Sequence, residues 1–334
     1  MSDRILVTGA TGFLGQRLAR ALAERGERLR LLARRVEALP KLDGDVEIVE
    51  ADLVDPACWD RALDGCRRVY HLAALVKKWV PDRKLFDRVN VGAVERLLER
   101  APAHGVDRVV LTSSFFALGP STEVAGPVSE EHRSESTPHN DYERTKRALE
   151  PIVSDHVRRG AVEVVTTYPG VIYGPGELTE GNILVKTFRD YLAGKLPGIP
   201  GSGKQLWSYA FVEDVVEGHR LAMEKGRPGG RYILGGENVT VDHVFSEFAR
   251  LSGKKPLTRH LPIGLLLGVG AGEEMLAWLF GREPELTRGV ARIYAHDWAY
   301  SSERAKAELG YRCRPFQEGL EETWAWMQRE GLAG

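Results

Sequence analysis

The 334-residue chain carries 46 Lys and Arg against 47 Asp and Glu, a net charge of −1, and 43% of it is hydrophobic. Such a composition is globular rather than disordered. With no basic excess, nucleic acid and anionic lipid are not the expected partners. Three cysteines (Cys58, Cys66 and Cys313) are too few and too scattered for a disulfide framework or a four-ligand metal site. No metal is expected, and the opening residues hold no apolar run of signal-peptide type, so a reducing, cytoplasmic setting is expected.

In chain order, residues 5–8 form a short apolar run expected to be a buried strand, and 13–25 carry helical periodicity. Strands are predicted at 29–33 and 46–50, then a helix over 55–64 with Pro56 in its first turn. A fourth strand at 68–72, a helix over 91–101 and a fifth strand at 108–114 follow. The helix at 142–158 and a sixth strand at 163–168 complete the alternation. That rhythm implies right-handed βαβ units in an α/β fold, a doubly wound parallel sheet covered on both faces. After Pro169 glycine and proline punctuate shorter elements. We place a dinucleotide-binding domain at 1–170. Residues 171–334 form a smaller substrate-binding region with segments returning to the core. The apolar stretch 261–272 falls short of the about 20 residues a membrane span needs. It reads as a core or lid helix, with surface membrane contact as the alternative.

Directly after the first strand stands Thr8-Gly9-Ala10-Thr11-Gly12-Phe13-Leu14-Gly15. In a strand-to-helix turn, Gly9 permits the sharp bend, Gly12 lets backbone approach a pyrophosphate, and Gly15 lets helix and strand pack closely. Free N–H groups of the first helical turn then bind negative charge. At the end of the second strand an acidic residue would bind the ribose hydroxyls of NAD. Here Arg34 and Arg35 stand there instead, and a planar guanidinium suits the 2′-phosphate of NADP. NADP is therefore the expected cofactor, with NAD the alternative. Asp52 and Leu53 at the third strand end are placed near the adenine, and Leu72, Ala73 and Ala74 at the fourth give small residues where the cofactor passes.

Tyr142 and Lys146 are four apart, on one face of a helix. A phenol titrates near 10, so bringing it to about 7 takes roughly 4 kcal/mol. An ammonium about 4 Å away, at an effective dielectric near 20, supplies energy of that order. Ser114, at the end of the fifth strand after Thr112 and Ser113, would hydrogen-bond a substrate oxygen and hold it against Tyr142.

Over essentially its whole length the chain resembles the extended short-chain dehydrogenase/reductases, the NAD-dependent epimerase/dehydratase family. The resemblance rests on the glycine loop, on Asp52-Leu53, His71-Leu-Ala-Ala74 and Asn90-Val-Gly, on Leu111-Thr-Ser-Ser114 and Tyr142-Glu-Arg-Thr-Lys146, and on Pro169-Gly-Val-Ile-Tyr-Gly-Pro-Gly176 and Phe211-Val-Glu-Asp-Val-Val216. The segments 231–238 and 300–311 are similar to the dihydroflavonol-4-reductase-like branch. The resemblance implies Ser114, Tyr142 and Lys146 as catalytic residues. It also sets Asn90, Thr112, Ser113, Pro169, Gly170 and Val171 beside the cofactor.

Two departures bear on substrate. Tyr168 stands where many members have Arg before the proline, and Trp207 where nucleotide-sugar members commonly carry Arg, leaving Lys204 nearby. The expected substrate is therefore a less charged carbonyl compound, with Trp79, Phe115, Phe116, Trp207 and Tyr209 as candidate pocket residues. The leading expectation is NADP-dependent interconversion of a ketone or aldehyde and its alcohol by hydride transfer. A sugar or nucleotide-sugar epimerase/dehydratase is the alternative, and a non-catalytic NADP-sensing protein a third. The expected partner is a small-molecule substrate, without nucleic acid or a transmembrane segment, in a possible homodimer.

Overall fold

The computed structural model describes residues 3–122 and 124–333. The chain opens with β1 (Arg4–Thr8), α1 (Phe13–Glu24), β2 (Leu29–Ala33) and β3 (Val46–Glu50). It continues through α2 (Cys58–Leu63), β4 (Cys66–His71), α3 (Lys84–Phe86), a π-helical stretch at Asp87–Gly92, and α4 (Ala93–Arg100). Then come β5 (Arg108–Thr112), α5 (Asp141–Arg159), β6 (Glu163–Pro169), β7 (Val171–Tyr173) and α6 (Ile183–Leu192). The remainder is β8 (Ile199–Pro200), β9 (Leu206–Phe211), α7 (Val212–Lys225), β10 (Arg231–Leu234), β11 (Glu237–Thr240), α8 (Val241–Ser252), β12 (His260–Leu261), α9 (Ile263–Phe280), α10 (Arg288–Ile293) and α11 (Phe316–Arg329).

Seven strands form one parallel sheet in the order β10-β6-β5-β4-β1-β2-β3. Every residue of β1 is buried, as expected of a strand covered on both faces. One face is packed by α1 and α7, where Leu14, Leu18 and Leu22 join Val212, Val215 and Val216 in one core. The other is packed by α2, α4 and α5 through Trp59, Val94, Leu97, Leu149 and Val153. This is the doubly wound α/β arrangement. The chain beyond residue 170 returns to it twice, adding α7 to one face and β10 to the sheet edge beside β6.

The rest of the C-terminal half surrounds a second core. A three-stranded sheet, β11-β9-β7, backs α6, α8 and α11. There Phe188 stacks on Phe248 at 4.1 Å and on Trp324 at 5.2 Å.

Three expectations are corrected. α2 begins only at Cys58, because the Asp55 carboxylate accepts the Ala57 N–H at 3.0 Å and holds the chain in a turn first. The helix expected over 91–101 starts earlier, as α3, and passes through the π-helical stretch. The apolar stretch 261–272 is part of an 18-residue helix, α9, and no core helix: only Leu266, Gly270 and Ala277 of it are buried. All three cysteines are free thiols.

Candidate active site

Strand order reverses between β1 and β4, and a crevice opens there at the carboxyl ends of the strands. Gly9 forms its floor with a left-handed φ of 78°, and a Cβ on it would lie 2.7 Å from the Ala73 nitrogen. The Ala73 N–H donates to the Thr8 hydroxyl at 3.2 Å, which ties the glycine loop to Leu72–Ala74. A Cβ on Gly15 would lie 2.1 Å from the Gly9 carbonyl oxygen, so that glycine seats α1 against the loop. Gly12 is the N-cap of α1 and offers no side chain to its first N–H groups. A short loop stripped of side chains, aimed by an uncapped helix start, fits the pyrophosphate of a dinucleotide. Thr11 borders the loop half-buried, whereas Phe13 and Leu14 are buried, Phe13 beneath the turn at Gly176.

Arg34 and Arg35 are exposed just past β2. The Arg34 guanidinium lies 3.9 Å from the Asp52 carboxylate, with both groups largely in solvent, a weak and salt-screened pair. Leu53 is half-buried beside them. Pro169 and Gly170 are buried where the chain leaves β6, and Gly170 sits against the Ser208 carbonyl, leaving Val171 half-buried at the start of β7. Ser113 is buried, and its hydroxyl has no partner among the described residues.

Ser114, Tyr142 and Lys146 are brought together. Ser114 ends the extended segment after β5, and its hydroxyl hydrogen-bonds the phenol of Tyr142. Lys146, one turn along α5, donates from Nζ to the Thr112 carbonyl at 2.9 Å and lies 5.7 Å from the Tyr142 ring centre. Burial lowers Lys146 to about 8, although Glu150 one turn on opposes this. The tyrosine corrects the expectation of a depressed phenol: burial pushes Tyr142 up to about 12, and only the Ser114 hydroxyl opposes it. The ammonium is anchored on a backbone carbonyl rather than on the phenolic oxygen, so desolvation wins. Tyr142 is therefore a phenol that keeps its proton at neutral pH.

Local sequence fixes where α5 starts. Asn140 is its N-cap, accepting the Glu143 N–H at 2.8 Å, and the Glu143 carboxylate accepts the His139 N–H at 2.8 Å. Glu143 is fully buried and also pairs with Arg147 and the His139 ring. An Asn-x-x-Glu pattern is readable as a capping box, and it is the signal by which these two residues could have been found.

Other support is invisible in the sequence. Asn90 spends its whole amide inside the protein: Oδ1 accepts from Leu75 N at 2.7 Å, while Nδ2 donates to the Leu75 carbonyl and to Thr145. It braces the loop after β4 against α5. His219 is buried and neutral, held near 4 by desolvation. Its Nδ1–H donates to the Val215 carbonyl at 2.8 Å, leaving Nε2 to accept from Thr112 at 2.9 Å and Thr167 at 3.0 Å. That bond steadies the strand end whose carbonyl holds Lys146. His71 bonds the Thr8 hydroxyl at 3.0 Å, and burial drives it down to about 3, so it adds no charge.

Of the candidate pocket residues, Phe116 is half-buried and meets the Tyr142 ring edge-on at 6.0 Å, with Trp298 behind it at 4.7 Å. Trp79 lines a cleft of about 350 Å³ at the start of α5, together with Lys78, His139, Asn140, Thr287 and Arg292. Phe115, Trp207 and Tyr209 are buried in the second core. Trp207 stacks on Tyr294 at 4.9 Å and donates its indole N–H to the His296 carbonyl at 3.2 Å, so its apolar face is already used.

The NAD dependent epimerase/dehydratase family model matches residues 5–235. The chain belongs to that family. Within it, the protein is similar to the Sterol demethylase protein B of Methylococcus capsulatus, 34% identical over 98% of this chain and 99% of that one. It is likewise similar to the Ceramide reductase of Caulobacter vibrioides, 36% identical over 89% and 86% of the two chains. Among solved structures, MoeE5 in complex with UDP-glucuronic acid and NAD superposes with a TM-score of 0.76 at 28% identity, covering 98% of this chain and all of that one. The family member described here is an NAD(P)-dependent oxidoreductase of the extended short-chain dehydrogenase/reductase type.

Proposed function

We propose that this protein is an NADP-dependent reductase of an apolar, lipid-like ketone or aldehyde. The observation that carries the reading is Tyr142, a proton-holding phenol hydrogen-bonded to Ser114 against the aromatic edge of Phe116. A bound nicotinamide supplies the hydride. Ser114 donates a hydrogen bond to the carbonyl oxygen, and Tyr142 passes its proton to that oxygen as negative charge develops there. Lys146 holds an ammonium on the Thr112 carbonyl, 5.7 Å from the ring centre, where its charge acts on the phenolate only once the proton has left. The names of the ceramide and sterol relatives support an apolar substrate, as does the half-buried ring of Phe116 beside Tyr142.

Arg34 and Arg35 support NADP over NAD. Calorimetric titration of both cofactors against wild type and Arg34→Ala/Arg35→Ala tests this. Tighter NADP binding that the double variant erases is expected; equal affinities in the wild type would remove the assignment. A second reading, nucleotide-sugar epimerisation, is favoured by Lys78 and Arg292 in the cleft at the start of α5 and by the UDP-sugar bound to MoeE5.

A further inference from the structure

Helix α9 is apolar along its whole outer side. Leu265, Val269, Met275, Trp278, Leu279 and Phe280 are exposed, Trp278 by 81% and Phe280 by 73%. Gly264, Gly268 and Gly272 face open space between them. The inner side is fixed to the protein: Gly270 lies so close to Thr287 and Arg288 that a Cβ would come within 2.8 Å of their backbone. The two carboxylates of the helix are both neutralised, Glu273 by Arg282 at 3.0 Å and Glu274 by Arg288 at 2.7 Å. No charge therefore interrupts the outer face.

Immediately before α9, the stretch 253–262 contains Lys254, Lys255 and Arg259 and no acidic residue. All three are exposed, and Lys255 and Arg259 have no ion pair among the described residues. A near-neutral protein thus sets two unpaired cations directly before a bare apolar helix face. We propose that α9 and this basic stretch dock the protein on an anionic bilayer, the helix lying in the plane of the interface. In that pose Trp278 and Phe280 enter the headgroup boundary, and Lys255 and Arg259 meet lipid phosphates. At 18 residues the helix has the length and composition of a membrane span. The contacts of Leu266, Gly270 and Ala277 hold it on the protein instead.

Flotation of the full-length protein with phosphatidylcholine vesicles, with and without phosphatidylglycerol, tests the proposal without reference to turnover. The wild type floats with the anionic vesicles and binds less as salt rises. Trp278→Ser/Phe280→Ser lowers that binding at least roughly tenfold, as expected from losing two large apolar anchors. Lys255→Glu/Arg259→Glu lowers it by a similar factor on anionic vesicles only. Circular dichroism melts matching the wild type establish that both variants are folded, as their exposed positions lead us to expect. Absence of flotation by the wild type, or equal flotation of the apolar variant, overturns the proposal. So does a dimer in sedimentation velocity that this variant splits while no vesicle is bound, which assigns the face to a second copy.

Discussion

Tyr142 meets two opposing influences: a desolvated crevice that disfavours the phenolate and a Ser114 hydroxyl that favours it. The crevice wins, which suits an acid in the reductive direction. Tyr142→Phe keeps the ring and removes the proton; we expect reduction to fall by about 10²–10⁴-fold while cofactor affinity stays within error of the wild type. Wild-type turnover by that variant would place the proton donor elsewhere. Lys146 makes the reaction pH-dependent. Burial lowers it to about 8, so it is an ammonium below that pH and loses its charge as pH rises through it. The rate of reduction should therefore fall on the alkaline side of about 8. In Lys146→Arg, whose guanidinium keeps its charge, the falling limb should move toward the Tyr142 value near 12. A wild-type profile flat through pH 8 would exclude this role. Ser114, Tyr142 and Lys146 were legible in the sequence because a strand end and a four-residue helical spacing fix their geometry locally. His219 and the bracing role of Asn90 were not, because their partners meet them only after strands and helices from distant parts of the chain are juxtaposed.

Elements buried on both faces were the most readable. β2 coincides with its apolar run, since a strand inside a doubly covered sheet has no polar face to blur its limits. α5 is the element on which the site depends, and its first turn is held by Asn140 and Glu143. Removing the cap with Asn140→Ala should cost about 1 kcal/mol. Glu143→Ala leaves Arg147 and His139 without their buried partner and should cost roughly 3–5 kcal/mol. Urea denaturation of the two variants compares them directly, and an effect of Glu143→Ala no larger than that of the cap would mean that its ion pairs contribute little. α9 shows where reading by composition fails. A helix apolar all round has the same sequence signature whether it is enclosed in a core or bare, and only its packing against α10 separates the two.

Taken whole, the molecule places its chemistry where strand order reverses, so the glycine loop of β1, the loop after β4 and the end of β5 converge on one crevice. Alternating strands and helices made the parallel sheet readable from sequence. The return of β10 to the sheet edge was not, because four residues carry no local mark of the partner they join. That return, with α7 on the sheet face, ties the C-terminal half to the cofactor crevice and brings α9 and α10 over the start of α5, where Gly289 sits against His139 and Asn140. In the reductase reaction we propose, an apolar carbonyl reaches Tyr142 beside the Phe116 ring. The decisive measurement is the stoichiometry of NADPH oxidation by the purified protein across a panel of long-chain ketones, aldehydes and UDP-sugars. One NADPH consumed for each alcohol formed from an apolar carbonyl, with UDP-sugars unchanged, is the predicted result; interconversion of a UDP-sugar with no net NADPH consumed, and no carbonyl reduced, would contradict it.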